Sequence, residues 1–517
     1  MGLFRATATV GGFTLISRIL GFARDILIAA ILGAGALADV FFVAFKFPNL
    51  FRRLFAEGAF NAAFVPIFTG INETDGEESA RDFAEEALSG LFWVLLAFIA
   101  VLEIAMPLAM LAFAPGFTSE PKKFELAVLL TRITLPYLLF VSLVSLMGGV
   151  LNSLNRFAAA AATPILLNIC LIGAILLLAP LVESPAHALA WGVAMAGVIQ
   201  FIWLYVACNR IGMTFQIRRP RLTPRLRELL VKMLPLAVGA GLYQVNLLID
   251  TIIASLLPSG SISYLFFADR VNQLPLGVIG LAVGTALLPL LSRQVRSGAH
   301  AEAMQSQNRA LEFALLLTLP AAVALVIIAG PIVSVLFERG EFGAIEAQAT
   351  ASALAVYAVG LPAYVAVKAL SPGFFARGDT ATPIKVGAVC MLVNLILNLI
   401  LMGPLLHIGI ATATAISAWL NVIILATILR NRGHLEPDSR LKRRLPRAIL
   451  ASAAMGGALW AILPKVQPYF AGGVVEKIAA LAFLVIGGIL LFLFLAQVLG
   501  AASYRDIKNL RRPTESI

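Results

Sequence analysis

The chain has 517 residues, of which 60% are hydrophobic and only 13% charged, with a mean hydropathy of +0.93. Soluble domains carry about 45–50% apolar and about 25% charged residues, so this composition excludes a soluble globular protein and puts the chain in a bilayer. The formal charge of +11 reads as the one-sided basic excess of a membrane protein, and nucleic acid is not an expected partner.

Cys170, Cys208 and Cys390 lie inside apolar runs without paired spacing, and His187, His300, His407 and His434 are scattered. Neither a disulfide framework nor a zinc site is expected. The first apolar stretch is interrupted by Arg18, Arg24 and Asp25. A signal peptide has a short uncharged core, so this stretch is expected to stay in the mature protein.

A membrane helix needs about 20 mostly apolar residues. In chain order the stretches that qualify are Thr9–Gly33, Ala38–Phe68, Ala87–Phe113, Leu126–Leu151, Ala158–Leu181, Ala186–Cys208 and Met233–Leu257. They continue with Ile262–Leu291, Ala310–Phe337, Ala347–Ser371, Pro383–Leu405, Gly409–Leu429, Ala448–Leu463 and Val474–Leu499, fourteen in all. An even number puts both termini on one side. The loop after the sixth stretch holds Arg210, Arg218, Arg219, Arg221, Arg225, Arg227 and Lys232, and the loop after the twelfth holds Arg430, Arg432, Arg440, Lys442, Arg443, Arg444 and Arg447. The tail adds Arg505, Lys508, Arg511 and Arg512, whereas the opposite face shows Lys122, Lys123, Arg339, Lys465 and Lys477, with Arg132 at its margin. That asymmetry places both termini in the cytoplasm. The acidic run Asn72–Asp82 is read as a cytoplasmic loop.

An internal repeat is visible. Ala63-Phe-Val-Pro66 lines up with Ala286-Leu-Leu-Pro289, and Asn49 meets Asn272 at the same offset. Thr134-Leu-Pro136-Tyr137 echoes Gly360-Leu-Pro362-Ala363-Tyr364, and Ala162-Thr163-Pro164 echoes Ala381-Thr382-Pro383. Six helices separate the copies, so the copies are parallel. The fold class is therefore all-α: a polytopic membrane protein of about 14 spans, with two six-helix lobes and two C-terminal helices, and a cavity between the lobes. The corresponding segments are residues 1–209 (first lobe), 210–232 (basic linker), 233–430 (second lobe), 431–447 (basic loop) and 448–517 (last two helices and tail).

The first two stretches contain Arg18, Arg24, Asp25, Asp39, Lys46, Arg52, Arg53 and Glu57. Each charge costs about 2.5–3.5 kcal/mol at a helix centre on insertion scales, so such groups must face protein or water, and a functional role is the default. At about 100° per residue, Asp39, Lys46, Arg53 and Glu57 share one face of the second helix, and Arg18 and Asp25 share one face of the first. Arg52 falls off that stripe, although Pro48 can rotate the turns after it. The eighth stretch adds Asp269 and Arg270. Five basic against three acidic residues in the first two helices make an interior that attracts an anion, and the arginine fork suits phosphate oxygens. A second constellation joins Asp250 with Asn394 and Asn398 and with Thr412 and Thr414. Such oxygens can hold a small hard cation or form interhelical hydrogen bonds; with only one charge among them, the hydrogen-bond reading is favoured. No P-loop, HExxH, GxSxG or Asp-rich diphosphate motif occurs, so no enzyme activity or ATP hydrolysis is expected of this chain.

The run Ser17-Arg-Ile-Leu-Gly-Phe-Ala-Arg-Asp25, the run Asp39-Val-Phe-Phe-Val-Ala-Phe-Lys-Phe-Pro-Asn-Leu-Phe-Arg-Arg53, Phe55-Ala-Glu-Gly-Ala-Phe60 and Phe64-Val-Pro66 resemble the N-terminal signature of the MurJ/MviN family. The resemblance continues through Ala268-Asp-Arg270, Leu274-Pro-Leu-Gly277 and Phe374-Phe-Ala-Arg-Gly-Asp-Thr380. It implies the MATE-like fold of the MOP exporter superfamily and movement of lipid II from the cytoplasmic to the periplasmic leaflet of the bacterial inner membrane. It also implies that Arg18, Arg24, Arg52 and Arg270, with Arg53 as the periodicity alternative, engage the pyrophosphate headgroup. Ser17, Asp25, Asp39, Lys46, Glu57 and Asp269 would serve the cavity and its gates. The cluster Asp250, Asn394, Asn398 and Thr414 resembles a sodium site of some relatives, with Asn398 where a second acid would strengthen it. No cofactor is implied beyond Na+ as a coupling ion and the membrane potential. The implied partners are lipid II, membrane lipids and cell-wall synthesis enzymes.

Two other readings compete. A cation or drug antiporter, or an oligosaccharide-lipid flippase, of the same superfamily shares the fold, but a cation exporter favours an acidic cavity. A non-transporting scaffold for cell-wall enzymes has no need of charge at membrane depth. Under alternating access the periplasmic ends at Gly35 to Asp39 and at Pro258 to Ser263 are expected to meet. The orientation is testable: a cysteine at Ser439 or Thr514 should be protected from an impermeant thiol reagent in intact cells, and one at Ser119 should be labelled. Labelling at Ser439 in sealed cells would reverse the topology.

Overall fold

The computed structural model describes residues 3–55, 59–220 and 222–502. Among these residues there is no strand beyond one isolated bridge, Arg339 to Phe342. In chain order the helices are α1 (Leu3–Leu32), α2 (Ala36–Phe55), α3 (Ala59–Thr74), α4 (Gly76–Ile104), α5 (Met106–Phe113), α6 (Pro121–Thr134), α7 (Tyr137–Ser153), α8 (Phe157–Gly173) and α9 (Pro185–Asn209). They continue as α10 (Pro224–Ser255), α11 (Ser261–Arg296), α12 (His300–Ile327), α13 (Ala329–Phe337), α14 (Ala344–Phe375), α15 (Ala381–Asn431), α16 (Ser439–Val466) and α17 (Val474–Val498). Each predicted apolar stretch coincides with one or two of these helices. Among the described residues, ten helical segments are long and apolar enough to cross a bilayer by length and composition.

Several spans are broken where the sequence supplies a reason. The third parts at Ala105, just before Pro107, and the fourth at Leu135-Pro136, since proline lacks the N–H that continues a helix. At 51 residues α15 would run about 76 Å if straight, more than twice the roughly 30 Å hydrocarbon core. It turns at Leu406, whose φ of 51° and ψ of −132° are non-helical, so its halves are the eleventh and twelfth predicted spans.

The repeat is also visible in the backbone. The break at Ala105 recurs at Ile328, and the start of α6 at Pro121 recurs at Ala344, both at the spacing that separates Asn49 from Asn272. Asn155 and Gly378 stand at that spacing too, and both take positive φ, 58° and 76°.

Two compact units emerge: Met1–Ser263 with Arg339–Phe342, and Tyr264–Glu338 with Gly343–Ile517. In the first, α1 packs on α8, α7 on α9, and α10 on α2 and α3. Its core includes a run of rings, Phe60, Phe64, Phe68 and Phe83, stacked at 5.4–5.6 Å between centroids. In the second, α14 packs on α12 and α15, while α16 packs on α12 and α17. Leu291, Val365, Ala369 and Leu370 are fully enclosed at its centre.

The acidic run Asn72–Asp82, expected as a loop, is instead the end of α3 and the start of α4, joined at Asp75 and Gly76. The segment is rich in good helix formers, and Ala80, Phe83, Ala84, Ala87 and Leu88 recur on one buried stripe. Its acids have a partner. The basic linker lies along α4, where Arg218 pairs with Asp82 at 3.3 Å and with the buried Glu85 at 2.6 Å. Arg225 pairs with Asp75 at 2.7 Å, and Thr223 donates to Glu86 at 2.8 Å. The Ser89 hydroxyl accepts from Arg218 N, and the Trp93 indole donates to Arg218 O. In the second unit, the loop before α16 is held comparably: buried Glu312 meets Arg309, Arg440 and Arg444, and Asp438 meets Arg309. Asp438 also caps α16 by accepting from Leu441 N at 2.7 Å. Arg221 and the tail basic residues lie outside the described residues.

Gly116, in the turn between α5 and α6, sits against the end of α10. Its N–H donates to Ser255 Oγ at 3.2 Å, and a Cβ there would lie 1.9 Å from Ser255 O. A Cβ at Gly457 in α16 would meet nothing within 4 Å. Gly116→Ala should therefore cost about 1–3 kcal/mol of stability through overpacking, while Gly457→Ala should be neutral or stabilising. Thermal unfolding of the detergent-solubilised protein checks both; equal midpoints for the two variants would refute the packing argument.

Candidate functional site

The charged residues of α1 are not equivalent. Arg18 is exposed and Ser17 half-buried, whereas Arg24 and Asp25 are buried. The Arg24 guanidinium donates through Nε and Nη2 to one oxygen of Asp25, at 3.0 and 2.6 Å, and through Nη1 to Asn168 Oδ1 at 3.0 Å. Asn168, from α8, donates in turn to Ser17 O at 3.0 Å. A buried pair of this kind holds only when its remaining hydrogen-bonding capacity is met, and Asn168 supplies that here. The result is a buried guanidinium fixed in orientation by one carboxylate and one amide.

At the start of α2, Asp39 is 1% exposed. One of its oxygens accepts from Gly260 N at 2.6 Å; the other accepts from Ser263 N at 2.9 Å and Ser263 Oγ at 2.6 Å. These N–H groups open α11, where a helix has no internal acceptors to offer, so Asp39 caps that helix from elsewhere in the chain and meets the positive end of its dipole. Gly260 has φ +98°, a conformation side-chain-bearing residues rarely take, and this turn aims its N–H at Asp39. Lys123 stands 3.7 Å from the same carboxylate. Its ammonium donates to Ser259 Oγ at 2.6 Å and lies 4.4 Å from the centre of the Phe117 ring. The two segments expected to meet, Gly35 to Asp39 and Pro258 to Ser263, are thus joined by a buried charge and its donors.

Further along α2, half-buried Lys46 donates to Thr251 Oγ1 of α10 at 3.5 Å, and half-buried Arg52 donates to Asn49 Oδ1 at 3.0 Å. Glu57 lies outside the described residues, as does the side chain of Arg53. In α11, Asp269 accepts from Gln273, one turn on, and the Arg270 guanidinium sits 4.9 Å over the Phe266 ring.

Asn398 Nδ2 donates to Asn394 Oδ1 at 3.0 Å, Asn394 Nδ2 to Thr414 Oγ1 at 3.5 Å, and Thr414 Oγ1 to Ile410 O at 2.9 Å. These neutral groups tie the two halves of α15 together. Asp250, half-buried in α10, belongs to the other compact unit. In the turn before α15, hydrogen bonds from Thr382 and Arg432 hold the Asp379 carboxyl far below its usual range.

Three participants carry little or no signal in the sequence: Lys123, Asn168 and the acidic face of α4. Asn168 has a legible one, an amide alone in an apolar span, which in a membrane asks for a partner. Lys123 has none, because it stands among Glu120, Lys122 and Glu125 like any surface lysine.

Residues 28–481 match the family model described as lipid II flippase MurJ. A probable lipid II flippase MurJ of Rhizobium tropici is 44% identical, with 99% of this chain and 97% of that protein covered. Its counterpart from Rhizobium meliloti (strain 1021) is 47% identical over 89% of this chain and 86% of that one. The lipid II flippase MurJ of Burkholderia cenocepacia is 37% identical over 89% and 90%. Among solved structures, a lipid II flippase MurJ in an inward closed conformation aligns with a TM-score of 0.78 at 24% identity, covering 96% of this chain and 99% of that one. An inward-facing MATE family transporter of the MOP superfamily aligns at 0.66 and 16% identity, covering 80% and 94%. These likenesses establish the fold, and with the sequence relatives they identify the chain as a multi-pass membrane protein that belongs to the lipid II flippase MurJ family.

Proposed function

We propose that this chain moves lipid II, the undecaprenyl-pyrophosphate-linked disaccharide pentapeptide, from the cytoplasmic to the periplasmic leaflet of the bacterial inner membrane. The observation that carries the mechanism is the Asp39 cluster, one buried carboxylate on the N-terminus of α11, which we read as a closed periplasmic gate. With that end shut, the headgroup enters from the cytoplasm. Opening the gate on the other side requires Asp39 to leave Gly260 and Ser263, which is feasible because water replaces those donors as the segment opens. The chain breaks no bond of its cargo; its work is to give a pyrophosphate a polar route across hydrocarbon.

Arg24 is the centre of that route. Asp25 and Asn168 hold its fork in one orientation, so an arriving phosphate meets a pre-aligned donor and exchanges with a single carboxylate oxygen. Arg18 and Arg52 add cationic groups to Arg24 in the first repeat, and Arg270 supplies the same chemistry in the second. A net positive path also senses the membrane potential, at about 2.3 kcal/mol per elementary charge per 100 mV, and this can return the emptied protein to its starting state. Both termini are cytoplasmic in this reading, and cell-wall synthesis enzymes are the partners expected to consume the product.

Replacing Arg24 or Arg270 by Ala should abolish complementation of cells depleted of this protein while leaving its level in the membrane unchanged. Lysine at either position should restore growth only in part, because it lacks the planar two-point fork. Full growth with both arginines replaced by alanine would refute the headgroup assignment.

A further inference from the structure

Lys123 lies just inside the start of α6, after the turn from α5, a place where a basic residue ordinarily does nothing but meet water. Here it is 7% exposed and has a defined set of neighbours. Ser259 accepts from it at 2.6 Å, Asp39 Oδ2 stands at 3.7 Å, Glu120 at 4.0 Å, and the Phe117 ring at 4.4 Å. Ser259 also donates to Glu120 at 3.2 Å. Lys123 therefore touches both partners in the Asp39 contact: the α2 carboxylate on one side and the Pro258 to Ser263 turn on the other.

We propose that Lys123 is a positioning residue for transport: it sets how often the periplasmic gate opens by neutralising Asp39 in the closed state. This rests on the gate reading of the Asp39 cluster. In the closed state Asp39 is out of water, and the donors of Gly260 and Ser263 and the Lys123 ammonium stand in for the water it has lost. Once the turn of residues 258–263 withdraws, water reaches Asp39 and Lys123 separately, and neither needs the other. The charge pair thus contributes chiefly to the closed state. Removing the lysine leaves a buried carboxylate without its counter-charge, which penalises closure far more than opening. Because α2 and α6 pack extensively on each other, Lys123 stays beside Asp39 while the turn moves, so it can re-form the closed state without a search. Among the described residues, the other ionised group beside this cluster is Glu120, which shares Ser259 with Lys123.

The test uses the full chain in inverted and right-side-out membrane vesicles, with Cys170, Cys208 and Cys390 replaced by alanine and a reporter cysteine at Ser261, which is 2% exposed. Labelling by an impermeant thiol reagent from the periplasmic side reads gate opening directly, with no transport assay. Lys123→Gln should raise the labelling rate by at least about tenfold, since breaking a buried ion pair is strongly destabilising to the state that buries it. Lys123→Arg should restore slow labelling at least in part. Asp39→Asn should raise labelling by itself, and adding Lys123→Gln to it should raise it no further, because the lysine acts through the carboxylate. If Asp39→Asn raises labelling and Lys123→Gln does not, the role of Lys123 is wrong and the gate stands. If Asp39→Asn leaves labelling unchanged, the gate reading itself fails. Equal increments from Lys123→Gln with Asp or Asn at position 39 would reduce the lysine to ordinary packing and overturn the proposal.

Discussion

A carboxylate taken out of water loses solvation worth several kcal/mol, and it stays ionised only if donors and an opposite charge replace what was lost. Asp39 receives two backbone N–H groups, one hydroxyl and a nearby ammonium. Such a cluster is stable when complete and costly when one piece is missing. That property is what a gate requires: two well-defined states, one in which protein satisfies the charge and one in which water does, with little stability between. The glycine turn at Gly260 and the early position of Ser263 in α11 both serve this one carboxylate.

The same constraint organises the rest of the polar interior. Arg24 is held by Asp25 and Asn168, and Lys46 by Thr251. Outside the hydrocarbon the balance changes, since water is available, yet basic segments are still bound in defined places. The linker follows α4 through Arg218 and Arg225, and the loop before α16 is clamped on Glu312. Each tie joins a connection to a helix of the same compact unit, so the connections on either side of the second repeat are attached and not loose. Helices α16 and α17, which have no counterpart in the repeat, are anchored through that second clamp and through packing on α12.

Much of this is legible from the residues alone because the bilayer leaves few alternatives. Apolar length puts every predicted stretch on one or two helices, and the paired motifs expose a repeat that recurs in the matching breaks at Ala105 and Ile328. Charge at membrane depth points to Arg24, Asp25 and Asp39, all of which are buried and engaged. Periodicity says less about partners. It groups Asp39 with Lys46 on one face of α2 but cannot reveal that Asp39 reaches the start of α11, a contact between positions more than two hundred residues apart. Lys123 reads as a surface residue for the same reason. The acidic run across the start of α4 reads as a loop because its charges mask a buried stripe that begins at Ala80 and continues through Phe83, Ala84 and Leu88. The ladder of Asn394, Asn398 and Thr414 can be grouped by spacing, yet only the fold shows its amides bonded to each other.

In the proposed cycle, closure at Asp39 alternates with opening, and lipid II crosses only when both occur. The most direct measurement is lipid II translocation in depleted cells complemented with a chain bearing cysteines at Ala36 and Ser261, on the two segments that meet there. Oxidation should join them in the fraction of molecules whose gate is closed, translocation should fall with the joined fraction, and reduction should restore it. Normal translocation by fully joined protein would contradict the account, because the cargo would then be crossing without this gate ever opening.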